Sequence, residues 1–97
     1  MIGVPSTNDA GWRSLIEAFA AGRIDGPSFE RRFLALWRAD VARGESPRHA
    51  VDLLFYEVDA YCDDPALRGE QDIDEEELRR QARLCLSRWH EPWPPTG

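Results

Sequence analysis

The sequence predicts an all-α protein: an antiparallel four-helix up-down bundle with a long acidic loop between helices three and four. Three observations carry this. Apolar residues recur with helical spacing in four separate stretches, glycine and proline punctuate the intervals between them, and no strand-like alternation of useful length appears. The 97 residues suffice for one domain, predicted to span 1–97 with frayed ends at about 1–8 and 91–97.

Helix one is expected over about Asp9 to Ala21. There Trp12, Leu15, Ile16 and Phe19 fall at i, i+3, i+4 and i+7, one apolar stripe. Thr7 or Asn8 can cap its start, and Gly22 supplies the residue able to turn left-handed at its end. Helix two opens near Pro27, carries Phe29, Phe33, Leu36, Trp37 and Val41 on one side, and stops at Gly44. Ser46-Pro47 signals the start of helix three, with Val51, Leu54, Phe55, Val58 and Tyr61 facing inward. The linker CDDPALRGEQDI breaks the pattern at Pro65 and Gly69. At about a dozen residues it exceeds the usual 2–8 of helix–helix connections. Asp74 followed by Glu77 resembles a capping box, and Leu78, Ala82, Cys85, Leu86 and Trp89 form the last stripe. The tail EPWPPTG cannot continue a helix.

Charge is unevenly placed. Every basic side chain is arginine, and the net charge is −6. Between Glu57 and Glu77 stand ten acids and a single base, Arg68, a local charge of −9; the other eight acids and eleven arginines leave the rest of the chain at +3. Such a balance argues against direct nucleic-acid binding and against an anionic membrane surface. No stretch approaches the roughly 18 apolar residues of a membrane helix, and the opening MIGVPSTNDAG lacks the basic start and apolar run of a secretory signal. A cytoplasmic location is the expectation. Cys62 and Cys85 then read as two buried small apolar thiols, not as a disulfide.

No catalytic constellation is present, and an enzyme is not expected. HExxH, CxxC, GxSxG and a glycine-rich phosphate loop are all missing. His49 and His90 are far apart in the sequence, and Cys85 and His90, five helical positions apart, would point about 140° away from each other. Aligned to a calcium-binding loop, Asp64, Gly69, Asp72 and Glu75 match, but Ala66 and Arg68 fall where ligands are needed. No metal, cofactor or small-molecule substrate is expected. The third helix is more specific. Asp52, Tyr56, Asp59 and Asp63 lie at i, i+4, i+7 and i+11, a stripe opposite the apolar side. With Asp64 and Asp72 in the linker, this stripe is a candidate surface for a basic protein partner. An acidic field of that kind speeds and selects association more than it adds affinity.

The run LLFYEVDAYCDDPALRGEQDIDEEELRRQARLCLSRW, from Leu53 to Trp89, resembles the signature half of the colicin D-type immunity proteins, the bacterial self-protective colicin-like immunity family. The segment FAAGRIDGPSFERRF is similar to that family's first helical hairpin, so the resemblance covers roughly Trp12 to Trp89. It implies a four-helix immunity domain that binds and neutralises the toxic C-terminal domain of a bacteriocin-like toxin. In the colicin D case that toxin is a ribonuclease cleaving transfer RNA, and the inhibitor offers acidic groups where RNA phosphates would lie. Carried over by position, Asp59, Asp63 and Asp64 are the implied direct contacts. The alternative reading is a small helical adaptor that binds through an apolar groove, its acids serving only solubility.

Overall fold

The computed structural model describes residues 4–94. The element order is β1 (Val4–Pro5), α1 (Asp9–Ala20), α2 (Gly26–Ala42), β2 (Glu45–Ser46), α3 (His49–Ala60) and α4 (Glu75–Ser87). The described residues are mostly helical, with four helices and a small two-stranded sheet. Helix α4 packs against α1 and α3 and also touches α2, while α1 leans on α2.

One cluster of buried side chains joins the helices. The predicted stripe of α1 is buried in full, and Phe29 and Phe33 of α2, Ala50, Val51, Leu54 and Val58 of α3, and Leu78, Ala82 and Cys85 of α4 complete it with Tyr61 and Trp89. Aromatic rings set its geometry. Phe19 and Phe29 stack at 4.2 Å, Trp12 meets Phe33 edge-on at 4.8 Å, and Trp37 stacks on Phe55 at 4.2 Å. Such pairs add to what area burial alone contributes. The inward side of α2 is narrower than its sequence spacing suggests. Leu36 and Trp37 are only half-buried, and Val41 is 64% exposed, because the inward position at that turn is taken by Asp40, which meets Trp12 of α1.

Helix ends follow local chemistry. Asp25 caps α2 by accepting from the Ser28 amide at 2.8 Å, and Asp74 caps α4 by accepting from Glu77 at 2.9 Å. The capping box is one-sided, since the Glu77 carboxylate turns to Arg80 and Gln81 instead. Gly22 and Gly44 carry the left-handed backbone expected of them, with φ of 78° and 69°. Asn8 precedes α1 without a side-chain cap, and α3 starts at His49 rather than at Ser46-Pro47.

The sheet was not anticipated, and its first strand falls within the segment 1–8 for which fraying was expected. Val4–Pro5 pairs in parallel with Glu45–Ser46, and the Ser6 amide donates to Ser46 at 2.8 Å. Of the tail EPWPPTG, residues 95–97 lie outside the described residues, as do residues 1–3. Trp93 is half-buried, its ring 4.9 Å from that of His49.

Beneath the sheet sits Asp40, 1% exposed and the buried charged residue of the core. Its oxygens accept from Trp12 Nε1 at 2.9 Å, from Ser6 Oγ at 3.0 Å, and from the Arg43 guanidinium. A charge buried this deeply is tolerated only when paired and hydrogen-bonded. Replacing Asp40 by Ala strands the buried Trp12 donor, a loss of about 1–3 kcal/mol, and the half-buried Ser6 donor, which water can partly satisfy and which adds about 1 kcal/mol. Urea denaturation of Asp40→Ala should therefore show a loss of about 2–4 kcal/mol, and Asp40→Asn, which keeps an acceptor oxygen, a smaller one. An unchanged midpoint for the alanine variant would contradict this assignment.

Candidate functional site

Helix α3 stops one residue short of Tyr61, whose backbone turns extended at φ −68° and ψ 129°. The chain then leaves and returns at a pinch. Tyr61 bridges Ile73 in parallel, with the Cys62 amide donating to Ile73 at 3.0 Å and the Ile73 amide to Ala60 at 2.9 Å. Everything between is a closed lobe. Arg68, the one base of the acidic segment, directs Nε and Nη2 to the Cys62 carbonyl at 3.2 and 3.0 Å. It staples the lobe's backbone and leaves the carboxylates their charge.

The acids themselves shape the lobe. Asp64 accepts from the Ala66 amide and Asp72 from the Gly69 amide, each at 2.9 Å, the local side-chain turns typical of aspartate. Asp63 accepts from the Tyr61 hydroxyl at 2.9 Å. Each bond fixes one carboxylate oxygen without neutralising the group. Among the described residues, the ion pairs join Arg13 to Glu17, Arg43 to Asp40 and Glu45, Arg48 to Asp9, Arg79 to Glu75, and Arg80 to Glu77. Of the ten acids between Glu57 and Glu77, only Glu75 and Glu77 are so paired. Asp59, Asp63 and Asp64 are exposed and Asp72 half-buried.

The expected stripe is only partly realised. Asp52, Tyr56 and Asp59 share one face of α3, but Asp63 lies past the end of the helix and cannot extend it. Asp52 is half-buried, and burial lifts its carboxyl above the ordinary range, His49 offsetting part of the rise. Asp63 instead joins acids from other elements around Tyr61. Glu30 of α2 has its carboxyl raised, first by burial and then by the charge of Asp63. Glu75 of α4 accepts from the Gly26 amide at 2.7 Å. A side chain at Gly26 would run into Tyr61 Oη and Glu75 Oε1, so the start of α2 seats directly on this cluster. Burial, then Asp63, raises the Tyr61 phenol above its ordinary value and keeps it a hydrogen-bond donor.

Glu30 carried no signal in the sequence. It stands next to Arg31 and Arg32 and far from the acidic run, and reaches Asp63 only because α2 begins against Tyr61. The remaining nucleophile candidates are poorly placed. Burial pushes the Cys85 thiol up to about 12, against the weaker pull of Arg88 and Arg13. Cys62 is half-buried, less enclosed than expected, its Sγ 3.5 Å from the Asp64 carbonyl oxygen, and both cysteines are free. A depression of about 400 Å³ at the opposite end of α3, lined in part by Asp9, Arg48, His49, His90 and Trp93, takes in none of the predicted site residues. No helix among the described residues is long and apolar enough to cross a membrane.

A family model described as bacterial self-protective colicin-like immunity matches residues 11–89, from the first turns of α1 past the end of α4. No curated protein and no solved structure matches the chain.

Clustered like charges should cost the folded state stability. A carboxyl raised by folding destabilises the fold once ionised, and that penalty vanishes below its ordinary, unfolded value. Glu30→Gln should thus raise the melting temperature near neutral pH and leave it unchanged at about pH 3, where glutamate is already neutral. Equal effects at both values would show that the Glu30 charge is not the cause.

Proposed function

The chain belongs to the bacterial self-protective colicin-like immunity family, and we propose that it binds the basic cytotoxic domain of a bacteriocin-like toxin and blocks its active site with acidic residues. The observation that supports this most is the state of the carboxylates. Asp59, Asp63 and Asp64 stand at the end of α3 and the start of the lobe, exposed and without an arginine partner among the described residues. Had the chain's own arginines covered them, no anionic surface would be left to offer.

A transfer-RNA-cleaving ribonuclease suits this surface as target. Its substrate cleft must be cationic to hold a polyphosphate backbone, and carboxylates at fixed spacing can stand in for phosphates there. The inhibitor acts stoichiometrically and catalyses nothing. The contact set comprises Asp59, Asp63 and Asp64, with Asp52, Tyr56 and Asp72 flanking them. The up-down antiparallel order of the helices and a cytoplasmic site of action belong to the same reading, for the toxin domain must be met where its RNA lies.

Charge in an exposed interface acts through steering, screened over about 8 Å at physiological salt. Association should therefore slow steeply as ionic strength rises. The double variant Asp59→Arg/Asp63→Arg should keep its helical content by circular dichroism yet lose protection of cells producing the cognate toxin. Full protection by that variant would overturn the acidic-contact reading.

A further inference from the structure

Four large apolar side chains are exposed among the described residues, and the aromatic one is Tyr56, 64% open to solvent. Its ring has a firm backing. Phe55 meets it edge-on at 6.0 Å and itself stacks on Trp37 at 4.2 Å, Trp37 in turn lying over Phe33. An aromatic ring held this way loses little freedom when a partner covers it. Asp52 lies one turn before Tyr56 and Asp59 one turn after, on the same face of α3, and neither is in an ion pair among the described residues. Beside the ring, between α3 and α4, runs a depression of about 210 Å³, its wall including Leu53, Tyr56, Glu57, Gln81 and Arg88.

A π face between two carboxylates recognises a planar cation. Building on the inhibitor reading, we infer that an arginine side chain of the toxin domain lies across the Tyr56 ring and is held from either side by Asp52 and Asp59. The guanidinium suits this seat better than an ammonium, because it stacks flat on the ring while its edges donate to carboxylates. Asp52 has most to gain, since its carboxylate is half-buried and in no ion pair among the described residues. Arg88 bounds the groove on the α4 side and confines the incoming cation to the α3 side. The acids of the lobe then set how fast the partner arrives, and Tyr56 sets how long it stays.

The test measures association and dissociation of the purified cytotoxic domain of a cognate bacteriocin-like toxin, against the full chain and three Tyr56 variants, at low and high salt. Tyr56→Trp should hold the complex as well as tyrosine does. Tyr56→Ala and Tyr56→Leu should each speed dissociation by about tenfold or more, by similar factors at both salt concentrations, with melting temperatures unchanged. Leucine separates the two kinds of contact, being apolar but without a π face. Full binding by Tyr56→Leu would overturn the guanidinium seat, and full binding by Tyr56→Ala would remove Tyr56 from the interface. Should the unaltered chain fail to bind that domain, the inhibitor reading itself falls and this inference with it.

Discussion

A buried carboxylate, Asp40, decides how the first half of the molecule is assembled. By accepting from Trp12, Ser6 and Arg43 at once, it ties α1, the segment after β1 and the end of α2 to one point. Arg43 continues the network to Glu45, and Glu45 to the Thr7 hydroxyl and amide. The two-residue strands would be too short to persist alone. They are held because their flanking residues are already fixed to the same carboxylate. With α1 and α2 so positioned, the stacked rings of Phe19 and Phe29 bring the start of α2 to the place where the chain leaves α3.

From there the acidic lobe inherits its shape. Gly26 seats against Tyr61 and Glu75, and the backbone pinch at Tyr61 and Ile73 closes the lobe. Order is achieved with main-chain bonds and with single carboxylate oxygens. Net charge is left in place, and Arg68 is used on a carbonyl. The cost that results, seen in the carboxyl of Glu30, raised first by burial and then by the charge of Asp63, is one that the aromatic core must offset. Such local cost at a surface is expected where function needs charge more than stability does.

The family and the geometry bear on different links of the argument. The match over residues 11–89 speaks to a role in bacteriocin immunity, whereas the unpaired carboxylates and the exposed Tyr56 say by what chemistry a partner could be held. Acids alone would give fast, salt-sensitive and weakly discriminating encounters. An aromatic surface placed among them adds a contact that depends on shape.

By itself the sequence determined the four helices, most of their buried faces, the cap at Asp74, the turns at Gly22 and Gly44, and the concentration of acid between Glu57 and Glu77. These are local properties, written in spacing and in neighbouring residues. Only the tertiary structure decided that Asp40 is a core residue, that Val4–Pro5 pairs with Glu45–Ser46, that the stripe ends at Asp59, and that Glu30 stands beside Asp63. Each of those depends on which distant groups meet. A carboxylate near an arginine in sequence, as Asp40 and Glu30 both are, looks like ordinary solvated surface until packing buries one and brings the other against its own kind.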